Sequence, residues 1–244
     1  MQTIIFAAGL STRMRPYTDT CPKPMLPVDN QPMLFYIIKQ LRNAGITDIT
    51  ITTHYCASVI SGFFGDGKSL GVSIRYAHED KLMDTAGSLR NIAIQRNEEV
   101  LAIGGNDYLP NLDIHAFVDF HRIKKGVGTI AFIETHPPHN PQNFGQGVLD
   151  VDSCLINFEE KPEKFISPLL HTTYQIYNPE VTEYIPKDVT NSIPRHLIPA
   201  LLKVHIPVYG YLAPAPFLCV STKEEYKWTC ANIKVNTVEK RRTL

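Results

Sequence analysis

The first half of the chain alternates short β-rich segments with helical patterns, and this alternation constrains the fold more than any other feature. Strands are predicted over residues 3–8, 49–53, 72–77 and 100–103, and helices over residues 32–44, 57–64, 86–96 and 114–124. Strands that alternate with helices typically build a parallel sheet with helices on both faces. The sequence therefore predicts an α/β fold with a doubly wound, mostly parallel sheet.

The pattern changes after Gly126, where short strands are separated by turn residues. Strands are predicted over residues 129–134, 147–151, 154–158, 173–177 and 208–212, with a tight hairpin at Asp152 and Ser153, and helices over residues 179–184, 193–202 and 223–235. The segment 135–144 is rich in Pro, His and Asn and is predicted to be a mobile surface loop. We interpret the chain as one domain, 1–244, with a doubly wound core (1–125) and a smaller mixed-sheet portion with a closing helix (126–244).

Charge and cysteine usage exclude several classes of protein. The chain has 24 Lys plus Arg against 24 Asp plus Glu, so it lacks the excess positive charge of a nonspecific nucleic-acid binder. Its apolar runs fall short of the roughly 20 residues that span a bilayer, and its N-terminus has no secretory leader, which favours a cytoplasmic protein without a membrane partner. Five scattered cysteines indicate neither a disulfide framework nor a zinc site.

The segment after the first strand is suited to binding an anion. Ligands of open parallel sheets bind outside the carboxyl ends of the strands. Small residues at Ala8, Gly9 and Ser11 allow backbone N–H groups to approach phosphate, while Arg13 and Lys23 supply positive charge. Neither a dinucleotide fingerprint nor a P-loop is present, and a polar surface loop with incidental charges remains the alternative.

Two further strand ends carry candidate residues. Ala86 and Gly87 would let a flat base lie against a helix start capped by Thr85 or Ser88, although a simple helix cap with Asp84 would give the same pattern. Two glycines and an asparagine precede Asp107 after the fourth strand, where a carboxylate could hold Mg²⁺ and a turn Asp is the alternative.

The second half adds a charged pair at a strand end. Lys161 could meet a substrate phosphate and Glu160 a sugar hydroxyl, although charged strand ends are common. His54 ends the second strand and is interpreted as a pocket-wall or structural residue. No arrangement in the sequence predicts a nucleophilic triad.

Several ordered motifs resemble those of sugar-1-phosphate nucleotidyltransferases. Residues 7–23 contain AAGLSTRMRPYT followed by the start of PKPMLPV, and the resemblance continues through 83–87 (MDTAG), 105–107 (GND), 158–162 (FEEKP) and 217–226. Within the family, the chain resembles the compact bacterial branch that contains N-acetylmuramate-1-phosphate uridylyltransferases and mannose-1-phosphate guanylyltransferases. The resemblance implies a Rossmann-like core joined to a small sugar-binding portion.

The resemblance also implies a reaction and a set of roles. A sugar 1-phosphate oxygen would attack the α-phosphorus of a nucleoside triphosphate, and pyrophosphate would leave. Arg13 would hold pyrophosphate, Lys23 the α-phosphate, Asp107 the Mg²⁺ or Mn²⁺, and Lys161 with Glu160 the sugar phosphate. The remaining implied binding residues are Ala8, Gly9, Leu10, Ser11, Thr12, Thr85, Ala86 and Gly87 for the nucleotide, and Thr173 for the sugar phosphate. A monomer and a homodimer are both compatible with it.

Three departures from the family pattern qualify these expectations. Ser11 stands where the family usually has Gly, and residues 171–173 read HTT where it often has NAG before an aromatic strand. Cys219 stands where the final motif has a second metal-binding Asp, and a neutral thiol is a poor ligand for Mg²⁺.

These departures leave other functions open. A catalytically weakened member could act as a nucleotide- or nucleotide-sugar-binding regulatory subunit. Phosphocholine is a possible acceptor, because a related branch of the family is a phosphocholine cytidylyltransferase. A nicotinamide dehydrogenase is disfavoured by the missing glycine fingerprint.

Overall fold

The computed structural model describes residues 1–93 and 98–239, with side chains through residue 233. Its strands are β1 (Gln2–Phe6), β2 (Pro27–Val28), β3 (Gln31–Pro32), β4 (Asp48–Thr53), β5 (Ser73–His78), β6 (Val100–Gly104), β7 (Asp107–Tyr108), β8 (Gly128–Glu134), β9 (Gly145–Leu149), β10 (Leu155–Glu160), β11 (Leu169–Tyr177), β12 (Val208–Leu212) and β13 (Leu218–Cys219). Its α-helices are α1 (Met33–Asn43), α2 (Ala57–Phe64), α3 (Asp84–Ala93), α4 (Ile114–Lys124), α5 (Ile198–Lys203) and α6 (Lys223–Glu239).

One nine-stranded sheet forms the centre of the molecule. Its order is β10-β9-β11-β6-β1-β4-β5, with β8 paired to β11 and β12 paired to β8. The four strands from the first half are parallel to one another, which confirms the predicted α/β fold. Strand β11 runs antiparallel to β6, β8 and β9, so it joins the parallel strands to the mixed portion.

Two apolar cores cover the two faces of this sheet. Side chains alternate along each strand, so Ile5 and Ile103 pack on one face while Ile4 and Ala102 pack on the other. Helix α1 buries the face that includes Ile37 in the first core, whereas α3 and α5 pack in the second. The covering on both faces explains why the parallel strands are almost uniformly apolar.

Several predicted elements differ from the structure in extent or type. Strand β1 ends at Phe6 rather than at residue 8, which frees Ala7 and Ala8 to start the loop. Strand β11 begins at Leu169 rather than at residue 173, and a register irregularity between His171 and Gln175 interrupts the alternation that sequence patterns rely on. The predicted helix 179–184 is a 3₁₀ helix, and the helix predicted over 193–202 is a π-helical turn, Ile193–Leu197, followed by α5.

The predicted tight hairpin at Asp152 and Ser153 is a longer connection. Strands β9 and β10 are antiparallel as expected, but five residues join them. The carboxylate of Asp150 accepts hydrogen bonds from the backbone N–H groups of Asp152 and Cys154 at 2.9 and 2.8 Å. This side chain therefore organises the turn.

The segment 135–144 is not simply a surface loop. His139 is 5% exposed, and Phe144 is buried beside it. The ring of His139 lies 5.3 Å from those of Phe144 and Phe217, and a short 3₁₀ turn, Pro141–Asn143, follows. The prediction of a mobile surface segment is wrong here, because aromatic packing anchors the middle of the segment.

One prediction falls partly on residues outside the described part of the chain. This is the end of the helix predicted over 86–96, from residue 94 onward. Among the described residues, no helix combines the length and apolar character needed to cross a membrane.

Candidate active site

A cavity of about 440 Å³ opens at the carboxyl ends of the parallel strands, a volume within the usual range of ligand pockets. Its walls come from the segments that follow β1, β5 and β6, together with β11 and the turn that precedes α5. The predicted residues that line it are Ala8, Gly9, Ser11, Thr12, Arg13, Lys23, Thr85 and Thr173. The structure therefore brings together chain segments that the sequence identified separately.

The loop after β1 is shaped by Ser11. This residue adopts a left-handed conformation (φ 55°, ψ 32°), which glycine adopts at lower cost than other residues. Its carbonyl accepts a hydrogen bond from the hydroxyl of Thr18 at 2.9 Å, and Met14 is buried beneath the short 3₁₀ helix Thr12–Met14. Arg13 is left exposed on the cavity wall.

Lys23 lines the cavity, whereas Asp107 is buried outside its lining but close enough to act on Lys23 electrostatically. Burial lowers the pKa of Lys23, and the nearby Asp107 opposes this effect. Burial raises the pKa of Asp107 to about 6, against the opposing influence of Lys23 and of a hydrogen bond with Thr173. The Thr173 hydroxyl also accepts a bond from the N–H of Gly104 at 2.8 Å, so it links β11 to the end of β6.

Gly104 is required by this close approach. A Cβ at position 104 would lie 2.6 Å from Oγ1 of Thr173, inside van der Waals contact. The two glycines that precede Asp107 therefore serve strand packing, since a Cβ on Gly105 would approach the Phe6 carbonyl at 3.1 Å.

Cationic groups surround Glu160. Its carboxylate lies 3.5 Å from Nζ of Lys161. Burial raises the pKa of Glu160, and Lys161, Arg195 and Arg13 all act in the opposite direction. Arg195, in the turn before α5, was missed by sequence analysis because only the folding of that turn brings it near β10. Glu160 and Lys161 do not themselves line the cavity, so their assigned role stays a prediction.

The candidate residues at the start of α3 form hydrogen bonds mainly with other parts of the protein. The N–H groups of Ala86 and Gly87 both donate to the carbonyl of Asn191, at 2.8 and 3.0 Å. Thr85 Oγ1 accepts from the N–H of Ile193 at 2.9 Å. The Ser88 hydroxyl donates to Glu79 and to the Asp84 carbonyl. The predicted helix cap by Thr85 or Ser88 is wrong, because both hydroxyls are engaged in these other bonds.

Leu10, Ala86 and Gly87 lie outside the cavity lining. Leu10 is 46% exposed, and Gly87 packs against Met83 and the carbonyl of Val189. Their contribution to nucleotide binding stays a prediction.

Glu79, Gln175 and Ser192 also line the cavity and were missed by sequence analysis, and His171, noted only as a departure from the family, lines it as well. Glu79 follows β5 directly, so the strand-end rule could have found it. Its carboxylate accepts hydrogen bonds from the Ser88 hydroxyl and, at 2.9 Å, from the N–H of Met83. His171 is held 3.0 Å from Nε2 of Gln175, and burial lowers its pKa to about 3, so it is neutral at physiological pH.

The carbonyl of Glu79 also lies 2.6 Å from Nδ1 of His54. This contact assigns His54 a structural role beside the cavity.

Cys219 pairs with Asp107 across the two-stranded sheet of β7 and β13. Cys219 is fully buried, and burial, followed by the negative charges of Glu225 and Asp107, raises its pKa well above the usual range. Its position therefore offers a neutral thiol beside the Asp107 carboxylate. Of the two, only Asp107 is a hard oxygen ligand that suits Mg²⁺.

Comparisons with known proteins define the class of this protein. The family model of nucleotidyl transferases matches residues 2–209. The chain therefore belongs to the nucleotidyl transferase family.

Curated relatives and solved structures agree with this family. The chain is 32% identical to a UTP–glucose-1-phosphate uridylyltransferase of Synechocystis sp., covering 86% of this chain and 57% of the relative. It is 28% identical to a mannose-1-phosphate guanylyltransferase of Mycobacterium tuberculosis, covering 93% of this chain and 62% of the relative. It thus spans little more than half the length of these relatives.

Two solved structures share the fold. A Bacillus anthracis protein determined with sucrose superposes with a TM-score of 0.82 at 24% identity, covering 95% of this chain and 94% of that one. HddC from Yersinia pseudotuberculosis, determined with GMP-PN, superposes with a TM-score of 0.79 at 20% identity, covering 95% of this chain and 99% of that one. These similarities confirm the predicted fold class.

Proposed function

We propose that this chain transfers a nucleoside monophosphate from a nucleoside triphosphate to a sugar 1-phosphate. An oxygen of the sugar phosphate forms a bond to the α-phosphorus, the bond from that phosphorus to the bridging oxygen of the β-phosphate breaks, and pyrophosphate leaves. The observation that carries the proposal is the convergence of Arg13 and Lys23 on one strand-end cavity, with the buried carboxylate of Asp107 close enough to Lys23 to act on its pKa. Family membership supplies the reaction class.

The residue roles follow from what such a transfer requires. Two anions must be held together and the charge that develops on the phosphates must be neutralised, without a protein nucleophile. Arg13 holds the departing pyrophosphate and Lys23 the α-phosphate. Lys161, supported by Glu160 and Arg195, holds the phosphate of the acceptor.

The nucleoside lies along the loop after β1 and the start of α3. Ala8, Gly9 and Ser11 present backbone to it, and Thr85 marks the opposite wall. Because these contacts are largely with the main chain, they do not select a particular base. Glucose and mannose 1-phosphates are the first acceptors to test, since curated relatives are named for them.

Mg²⁺ fits this site with one protein carboxylate. Asp107 would hold the ion, and Mg²⁺ or Mn²⁺ bound there would supply positive charge that offsets the charge of the nucleotide phosphates. Cys219 contributes no hard ligand.

The thiol at 219 favours a second candidate function, a regulatory subunit that binds nucleotide without efficient transfer. Pyrophosphate release should be measured over a matrix of four nucleoside triphosphates against several sugar 1-phosphates and phosphocholine, with Mg²⁺ or Mn²⁺. Turnover by the native chain with a sugar 1-phosphate supports the enzyme. Turnover only in Cys219→Asp supports the regulatory subunit, with Cys154→Asp as the matched control. Preference for phosphocholine would replace the proposed acceptor.

A further inference from the structure

A second cluster of metal-ligating side chains lies behind the cavity. His139, Cys219 and Glu225 are all buried, and one potential ligand atom from each lies within 4.8 Å of the other two. The cluster joins the segment 135–144 to strand β13 and the first turn of α6, which are close to each other in the sequence but far from that segment. No short-range motif contains these residues together, so spacing rules cannot find them.

The hydrogen bonds of His139 define which of its nitrogens is available. Nε2 lies 2.9 Å from the carbonyl oxygen of Phe217, and a carbonyl can only accept, so Nε2 carries the proton. In the neutral ring, Nδ1 is then an acceptor with a free lone pair. It is buried without a hydrogen-bond partner and lies 3.6 Å from Oε1 of Glu225.

The two oxygens of the Glu225 carboxylate also differ, because only one of them has a hydrogen-bond partner. Its Oε2 accepts from the N–H of Thr222 at 2.9 Å, and Thr222 Oγ1 accepts from the N–H of Glu225 at 3.2 Å, a reciprocal capping box. Oε1 has no hydrogen-bond partner and is buried. When the ring is neutral, two acceptors face each other in a buried space, an arrangement that either a proton on Nδ1 or a cation between them would stabilise.

The distances between the potential ligand atoms suit a small metal ion of borderline softness. Bonds of zinc to nitrogen, oxygen and sulfur near 2.0–2.3 Å place tetrahedral ligands roughly 3.4–3.7 Å apart. The separation of 3.6 Å between His139 and Glu225 already matches. The other potential ligand atoms lie at most 4.8 Å apart. The side chains would therefore have to move by about 1 Å to bring these atoms to the separations of a tetrahedral zinc site. Imidazole, thiolate and carboxylate together select Zn²⁺ over Mg²⁺.

We propose that His139, Cys219 and Glu225 form a buried Zn²⁺ site, separate from the Mg²⁺ ligand Asp107. On binding, the S–H bond of Cys219 breaks, a sulfur–zinc bond forms, and the proton passes to solvent. Three protein ligands leave a fourth position for water. The ion fastens the 135–144 segment to β13 and α6 directly opposite Asp107, and so stabilises the wall behind the cavity. This site does not depend on the transferase function.

Cobalt spectroscopy of the untagged full chain tests the site. Metal-free, reduced protein is titrated with Co²⁺ and then with Zn²⁺. We expect one Co²⁺ per chain, a thiolate-to-cobalt charge-transfer band with intense tetrahedral visible bands, displacement by stoichiometric Zn²⁺, and no displacement by excess Mg²⁺. A titration without a charge-transfer band overturns the proposal, and the facing groups are then a buried imidazolium–carboxylate pair.

Substitutions identify the ligands. Cys219→Ser should abolish the charge-transfer band, and His139→Gln or Glu225→Gln should weaken Co²⁺ binding at least tenfold. Glu225→Gln keeps an acceptor for the capping box, which preserves the helix start. Cys154→Ser and Glu224→Gln are the matched controls and should leave the spectrum unchanged. A band that survives Cys219→Ser, or binding that is unchanged in His139→Gln, overturns the assignment.

A fourth variant separates this proposal from the proposed function. Asp107→Asn should retain the cobalt spectrum, because Asp107 is not among the three ligands. If the native chain shows no nucleotidyl transfer yet gives this spectrum, only the proposed function fails. If transfer is active and no thiolate–cobalt band forms, only the zinc site fails.

Discussion

The positive charge of Arg13 acts on several other charged residues of the proposed phosphate site. Arg13 lies on the cavity wall, and its charge adds to the effect of burial, which lowers the pKa values of both Lys23 and Lys161. Cations placed this close together repel one another unless an anion binds between them. In the proposed site, Arg13 would act on the charge of the bound phosphates.

Replacement of Arg13 tests this directly. Arg13→Ala should lower the turnover number on the order of 100-fold, as for other preorganised charge stabilisers. Steady-state pyrophosphate release measures the effect. Arg15→Ala is the matched control, because Arg15 is exposed and pairs with Asp19 at 3.4 Å outside the cavity. Undiminished turnover in Arg13→Ala would remove Arg13 from the proposed site.

A second prediction for a single residue concerns His171, whose burial should make the stability of the protein depend on pH. Burial lowers its pKa in the folded protein to about 3, whereas the unfolded chain binds a proton near pH 6.5. As pH falls below about 6.5, the unfolded state gains a proton that the folded state does not, so stability is lost. Native protein should lose about 2 kcal/mol relative to His171→Gln between about pH 6.5 and 4.5.

Urea denaturation of both proteins across this pH range measures the difference. His115→Gln, an exposed substitution on α4, should leave the pH dependence of the native chain unaltered. The free energies of unfolding of the native protein and of His171→Gln are compared at each pH. A difference that does not vary with pH would show that His171 binds a proton as readily in the folded protein as in the unfolded chain.

Among the secondary-structure elements, a group of hydrogen bonds, called the strap below, links the start of α3 to the segment before α5. Asn191 donates to the Met83 carbonyl at 2.9 Å and accepts from the first turn of α3, while Thr85 accepts from Ile193. These bonds position one wall of the cavity. Their partners are more than 100 residues apart, as for Thr85 and Ile193, so no local pattern predicts them.

Thr85→Val removes the acceptor at nearly constant volume. It should leave the Ile193 N–H without its partner, lower the free energy of unfolding by about 1–3 kcal/mol, and speed hydrogen exchange at that amide. Thr85→Ser keeps the hydroxyl and should retain most of the protection. Equal loss in the two variants would show that the methyl group, not the hydrogen bond, stabilises the strap.

Sequence reasoning succeeded where chemistry follows strand ends and failed where it depends on distant contacts. Arg13, Lys23 and Thr85 follow strands or begin a helix, and the edge of a parallel sheet brings them together. Arg195 and His139 carry no such local signal. Buried aromatic rings and a π-helical turn place them, and both depend on the packed tertiary structure.

For the whole molecule, strand β11 is the element that connects the two portions of the sheet. Its last residues pair with β6 of the parallel core, and the strand also pairs with β8 and β9. The sequence placed only its second half, because the irregularity after His171 breaks the alternation. No apolar boundary separates the portions, since both cores contain residues from each.

We therefore expect one cooperative unfolding transition rather than two. The chain has a single tryptophan, Trp228 on α6, whose ring lies 5.9 Å from His139 and packs against the first core, so its fluorescence reports on the packing of α6. Far-ultraviolet circular dichroism reports on all helices and strands. The two urea curves should coincide, because disrupting β11 exposes both cores at once. A dichroism change that persists after the fluorescence transition is complete would instead show that part of the chain unfolds independently of α6.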